Sequence, residues 1–287
     1  MATYRPASGE PVWVRRALIL LVVALMGLLL ALPLATVFIE ALRKGAGAYL
    51  GALRHPDALD ALRLTLFAAA IAVPFNLVFG VATAWALARF EFPGKSLVAS
   101  AVDLPLWISP VVSGLLYVIL CGAQGLLGPA LSALGIRVIF TPFAIVLATI
   151  FVTIPYVARN VLPLMESLGR AEEEAALTLG ARGFQVLWRV TLPKIQWGLL
   201  YGVILCTARA VGEFGAVSVV SGHIRGVTNT LPLHIEILYS EYQVQAAFAV
   251  ATLLTLLALA TLGVKAWVEW RQRLALAAVR RDFAEAP

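Results

Sequence analysis

No ionisable side chain interrupts the sequence between Arg16 and Glu40. The hydrocarbon core of a bilayer is about 30 Å thick, and roughly 20 apolar residues in a helix cross it. A cleavable signal peptide carries an apolar region of only about 7–15 residues, so Ala17–Ile39 reads as a retained anchor. Five further stretches have the same character: Leu64–Ala88, Leu104–Cys121, Val138–Ala158, Ile195–Val220 and Ala246–Val264. The fifth span of the six is unusual because it carries Arg209 and Glu213. The apolar runs are continuous rather than alternating, which excludes a transmembrane β-barrel. Prolines within or near the spans (Pro33, Pro74, Pro110, Pro155) are compatible with membrane helices, where neighbours re-satisfy the freed carbonyls.

Composition agrees. Hydrophobic residues make up 61% and charged residues 13%, against roughly 45–50% and 25% in globular domains. That leaves too little polar surface for a soluble enzyme, a disordered chain or a nucleic-acid binder. The expected fold is therefore an all-α integral membrane protein with six transmembrane helices. Residues 1–16 form an N-terminal tail, 17–264 a single membrane domain, and 265–287 a C-terminal tail. Cys121 and Cys206 are far apart in apolar surroundings and read as buried small hydrophobes.

The formal charge of +6 takes its meaning from placement. Arg5, Arg15 and Arg16 precede the first span, and Arg89 and Lys95 separate the second from the third. Arg159, Arg170, Arg182, Arg189 and Lys194 lie between the fourth and fifth, and Lys265, Arg271, Arg273, Arg280 and Arg281 follow the sixth. The opposite side carries Arg43, Lys44, Arg54, Arg63, Arg137 and Arg225. The positive-inside rule then places both termini in the cytoplasm. The cations serve orientation and attraction to anionic membrane lipid, at about 1 kcal/mol each. No nucleic-acid partner is implied.

The connection 159–194 has structure of its own. Ala171–Leu179 reads AEEEAALTL, strong helix formers with Glu172, Glu173 and Glu174 at the front, where the helix dipole favours acids. Gly180 supplies a stop. Ala175, Ala176 and Leu179 share a face at helical spacing, and small side chains suit insertion into a groove of another protein. A second helical stretch, Phe184–Val190, leads to Leu192-Pro193, where Pro193 can begin the next span.

Glu174-Ala175-Ala176, three residues, Gly180, nine residues, then Val190-Thr191-Leu192-Pro193 resembles the EAA loop of ABC importer permeases; Val190 replaces the usual Ile. The resemblance implies a type I (MetI-like) importer permease whose coupling helix sits in a cleft of a separate ATPase. Gly94-Lys95-Ser96 is not a P-loop, because the position five before its glycine is Arg89. ATP and Mg therefore belong to the partner, and this chain needs no cofactor, catalytic residue or metal of its own.

Arg209 and Glu213 stand four apart, on one helix face, with Gly212 and Gly215 allowing close helix approach. Intramembrane charges are functional hypotheses by default. Either the two form an ion pair that fixes packing, or their face lines an anion's route, with Ser218 and Ser221 as hydroxyl donors to an oxyanion. The segment Ala208–Ala216 is similar to a signature of the oxyanion branch. Residues Val217–Gly226 and Leu231-Pro232-Leu233, with Arg89–Gly94, Ser109–Val112 and Phe151–Tyr156 upstream, resemble the W-type branch of sulfate/thiosulfate permeases. The resemblance implies a heterodimer with a homologous permease, two ATP-binding subunits, a sulfate-binding protein and a bacterial inner-membrane location. The alternatives are a molybdate or tungstate permease, and a proton-coupled secondary anion carrier relaying through Arg209 and Glu213. His223, His234 and Arg225 fall in or beside an outer loop. The histidines suggest no metal, and Arg225 reads as a solvated charge or a contact for an external protein.

Overall fold

The structure is a computed structural model describing the backbone of residues 11–285 and the side chains up to Gln272. Arg5 of the N-terminal tail and the side chains of Arg273, Arg280 and Arg281 lie outside the described residues. The described residues form twelve helices and no strand. They are α1 Val12–Leu42, α2 Ala46–Arg54, α3 Pro56–Arg89, α4 Lys95–Trp107, α5 Pro110–Cys121 and α6 Gly128–Ala133. There follow α7 Pro142–Ser167, α8 Ala171–Thr178, α9 Gly183–Val211, α10 Gly215–Ser221, α11 Leu231–Ser240 and α12 Val244–Glu285. Five of these (α1, α3, α7, α9, α12) are long and apolar enough to cross a membrane, and α4 with α5 makes a sixth, bent pair.

That pair corrects the single span expected over Leu104–Cys121. The axis turns by 109° at Ile108-Ser109, because the ring of Pro110 forces the residue before it out of the helical region: Ser109 has ψ 133°. The span expected over Ile195–Val220 is also broken. Its helix ends at Val211, and α10 restarts at Gly215. The last helix runs on past Lys265 without a break. Within the connection 159–194, α7 runs on to Ser167. Pro193 likewise does not start a helix: α9 is already running and widens into a π turn at Leu187–Thr191. The same pairing recurs in α1, where a π turn at Gly27–Ala31 precedes Pro33. A proline lacks the N–H for the α bond and crowds the carbonyl four residues back, so a widened turn just before it relieves both.

Small residues hold the bundle together. Ala61, Ala68, Ala72, Gly80, Ala84 and Ala88 are buried along α3, which packs closely against α7. A Cβ on Gly80 would lie 2.7 Å from Val157 Cβ and 3.0 Å from the Ala158 backbone nitrogen. Lipid tails are as apolar as Leu, so close backbone approach rather than hydrophobic burial drives such pairs. Polar groups add to it. The Asn76 amide donates to Thr153 Oγ1 at 2.7 Å and to the Ile150 carbonyl at 3.2 Å. Cys206 is buried beside them and Cys121 is half-buried.

Ion pairs between elements sort to the two ends of the bundle. Arg89–Glu173, Lys194–Glu172 and Arg159–Asp103 gather toward one end. Arg225–Asp57, Arg225–Glu241 and His223–Glu236 gather at the other.

Candidate functional site

The loop helix α8 ends in a defined cap. Beyond it Leu179 and then Gly180 leave the helical region, Gly180 with φ +88°. The Gly180 N–H donates to the Leu177 carbonyl (2.9 Å) and the Ala181 N–H to the Ala176 carbonyl (3.0 Å). These are the two bonds of a Schellman cap. Ala175, Leu177 and Leu179 are exposed, Leu179 at 89%, and Ala176 is half-buried. In α9, Phe184 and Trp188 stand edge to face at 6.0 Å and are exposed as well. The end of this loop therefore presents an exposed apolar surface. Val190, Leu192 and Pro193 lie within α9, Val190 in its π turn and Leu192 and Pro193 just after it.

The three acids at the front of α8 part company. Glu174 is exposed. Glu172 is paired with Lys194 at the start of the next span. Glu173 faces inward, with its side chain 13% exposed. Arg89 Nε donates to its Oε2 at 2.6 Å and Arg89 Nη2 to its Oε1 at 2.9 Å. Thr191 Oγ1 donates to the same Oε1 at 2.8 Å. Two of the three acids read as partner-facing therefore also bind this chain to itself. Arg89 and Thr191 carry no sequence signal that points to this site. Arg89 is a lone cation at the end of an apolar span, which charge counting absorbs into orientation. Nearby, the hydrogen bond and charge of Lys95 hold the exposed Glu91 carboxyl below its ordinary range.

The second constellation lies where the two broken spans meet. A Cβ on Gly215 would lie 2.8 Å from Pro110 Cβ, and one on Gly114 would lie 2.5 Å from the Ala216 carbonyl oxygen. The breaks in α4–α5 and α9–α10 are thus adjacent. Arg209 Nη2 stands 2.8 Å from Glu213 Oε2, with side-chain exposures of 30% and 1%. That oxygen has no aligned hydrogen bond, whereas Oε1 accepts the Ala216 N–H at 2.9 Å. Glu213 thus sits past the end of α9, not on one continuous face with Arg209, and its carboxylate caps the first turn of α10. Trp107, at the end of α4, and Phe214, next to Glu213, are exposed.

Ser218 and Ser221 lie on α10 rather than in a loop. The Ser221 hydroxyl is buried, donates to the Thr228 carbonyl at 2.5 Å and accepts the His223 N–H at 3.1 Å. It has no capacity left for an oxyanion. The Ser218 hydroxyl donates to the Gly215 carbonyl and is half-buried. Arg225 is exposed and paired: it bridges Asp57 and Glu241, and the Glu241 hydrogen bond raises its pKa. His223 is half-exposed beside Glu236. His234 is buried with Asn229 Nδ2 at 3.2 Å, and burial lowers its pKa.

Residues 45–274 match the family described as binding-protein-dependent transport system inner membrane component. The sulfate transport system permease protein CysW of Synechocystis sp. is 50% identical over 90% of this chain and 94% of its own length. Sulfate permease 2, chloroplastic, of Chlamydomonas reinhardtii is 49% identical over 94% of this chain and 73% of its own. The CysT permease protein of Salmonella typhimurium is more distant, at 37% over 79% and 82%. Among solved structures, a chain of a bacterial alginate ABC transporter in complex with an alginate pentasaccharide-bound periplasmic protein shares the fold. Its TM-score is 0.76 at 18% identity, over 92% of this chain and 95% of that one. With five helices apolar and long enough to cross a membrane, a bent apolar pair and a capped loop helix, this multi-pass membrane chain belongs to the binding-protein-dependent transport system inner membrane component family, the permeases of ABC importers.

Proposed function

We propose that this chain is one of two permease subunits of an ATP-driven importer for sulfate or thiosulfate in a bacterial inner membrane. The observation that carries the reading is α8, a helix closed by a glycine cap that presents exposed Ala175 and Leu179 at the cation-rich end of the bundle. Relatives about half identical over most of the chain are named sulfate permeases, which supports the substrate class. The existence of both CysW and CysT relatives supports a homologous second permease as partner.

In this reading both termini are cytoplasmic, and two ATP-binding subunits, which hold ATP and Mg, seat on the coupling helices. A sulfate-binding protein delivers the anion to the opposite face. Glu174, Ala175, Ala176, Leu179 and Gly180 form the seated surface; Glu172, Glu173, Val190, Leu192 and Pro193 hold it to the bundle. Closure of the ATPase pair moves the coupling helices together and opens the membrane route. The broken helices at Ser109-Pro110 and Gly212–Phe214 bring non-helical backbone to the depth of the spans. Such backbone is tolerated where it is buried or lines a cavity. Arg209, 30% exposed beside its buried partner, is the cation available there to an oxyanion.

The test is sulfate uptake by vesicles holding this chain with its second permease, ATPase and binding protein. Uptake should require ATP and persist when the proton gradient is collapsed; dependence on the gradient would instead favour a secondary carrier. Stronger competition by molybdate than by thiosulfate would reassign the substrate.

A further inference from the structure

One guanidinium and the carboxylate it grips join five pieces of the chain at the cytoplasmic end of the bundle. Arg89 is the last residue of the 34-residue helix α3. Besides the bidentate pair with Glu173 at the front of α8, its Nη1 donates to the Met165 carbonyl at the end of α7. Its Nη2 donates to the Gly169 carbonyl in the following turn, both at 3.0 Å. Thr191, in the π turn of α9, closes on the same carboxylate. A neighbouring bond runs the other way, from Arg170 Nη2 to the Ala88 carbonyl at 3.0 Å. The Arg89 side chain is 10% exposed. The space left among Arg89, Gly169, Glu173, Thr191 and Lys194 is about 10 Å³, at the lower limit for a single water. The cluster is a packed joint, not a ligand site.

We infer that Arg89 is a positioning residue that makes α8 and α3 move as one body, so that displacement of the coupling helix becomes displacement of the second span. An eight-residue helix is marginal by itself in water, so a push on α8 would be absorbed by its own bending unless its front is fixed. Glu173 fixes it, and planar bidentate geometry resists rotation as well as separation. The far end of α3 carries Asp57, which faces Arg225 at 3.8 Å. The two charged ends of the bundle are thereby connected through one continuous helix. Glu173 is the middle of three successive glutamates, yet it alone turns inward. The flanking acids are left for Lys194 and for solvent.

This inference rests on the proposed coupling role, and the experiment separates the two. The complete transporter is assembled with Arg89→Lys, Arg89→Ala, Glu173→Gln or Thr191→Val. ATP hydrolysis is measured with and without sulfate-loaded binding protein, beside sulfate uptake and ATPase co-purification. The expected result is that the ATPase stays bound, with basal hydrolysis and KM for ATP unchanged. Stimulation by loaded binding protein should fall by between about 2-fold and 30-fold, least for Thr191→Val and most for Arg89→Ala. Arg89→Lys keeps the charge but not the fork, and should lose stimulation too. If Arg89→Ala does not assemble, Thr191→Val and Arg89→Lys carry the test. Wild-type stimulation in both overturns the inference. Loss of basal and stimulated hydrolysis in proportion would also overturn it, because that marks a purely structural role. Failure of the wild-type chain to bind any ATPase would instead refute the function on which the inference rests.

Discussion

Replacing Gly180 by valine isolates backbone conformation from contact. A Cβ at Gly180 would meet no atom within 4 Å, so side-chain volume within this chain is irrelevant. The remaining factor is φ +88°, which costs an L residue roughly 1–2 kcal/mol and is an outlier for a β-branched one. The chain can keep the conformation and bear that strain, or unwind and forfeit the two cap bonds. Those are worth about 0.5–1.5 kcal/mol each in net terms. The chain takes the cheaper route, so the cost is about 1–2 kcal/mol, which shifts the local equilibrium between a formed and a frayed helix end by about 5- to 30-fold. Global stability should barely change, because α8 and its cap are exposed at the edge of the bundle. The assay is sulfate transported per ATP hydrolysed in reconstituted vesicles. Asparagine, which tolerates the left-handed region, should stay close to the wild-type ratio; alanine should be intermediate and valine lowest. If asparagine falls as far as valine, the absence of a side chain against a partner matters and not φ, and the reasoning fails. It also fails if valine couples normally.

The glycines at helix crossings should behave oppositely. Gly114→Ala and Gly80→Ala place a methyl at 2.5 Å and 2.7 Å from neighbouring atoms. Each should cost about 1–3 kcal/mol in thermal unfolding of the detergent-solubilised chain, whereas Gly47→Ala, in open space on α2, should not destabilise it. His234 is buried, with burial lowering its pKa despite Asp57 and Glu241 nearby, and with Arg225 and His55 lowering it further. The unfolded chain therefore takes up that proton first, so His234-linked stability is full above about pH 6.5 and declines as pH falls below it. A thermal midpoint that drops between about pH 7.5 and 5.5 in the wild type, and drops less in His234→Gln, is the expected outcome. Arg209→Leu leaves Glu213, 1% exposed, without its cation, and should cost about 3–5 kcal/mol, most of it recovered in Arg209→Leu/Glu213→Leu. If that double variant is folded and still transports sulfate, the pair only fixes packing; if it is folded and silent, Arg209 serves the route.

The sequence determines the number of apolar crossings because that depends only on composition along a line. The charge-free run from Ala17 to Ile39 lies wholly inside α1, and continuous runs mark α3, α7 and α12 equally well. Continuity is also why two spans differ from their sequence expectation. Hydropathy does not register a bend, so Leu104–Cys121 reads as unbroken although Ser109-Pro110 contains the reason for its 109° turn. Gly212-Glu213-Phe214-Gly215 carries a similar warning: two glycines around an acid are poor helix, and the acid caps the helix beyond them. At the candidate site, local signals are legible. Alanines, leading acids and a terminal glycine define a capped helix from neighbours within four positions. Non-local pairing is not legible, because nothing along the line tells Glu172, Glu173 and Glu174 apart. They become different only when α3 brings Arg89 to within 2.6 Å of one of them, 84 residues away in sequence. Ser221 makes the same point in reverse, since a hydroxyl that reads as free to bind an anion is used up by Thr228 across its own loop. The chemistry of a residue in this protein is therefore set less by its type than by which helix end delivers its partner. The closely packed alanine and glycine faces of α3 fix where those ends fall.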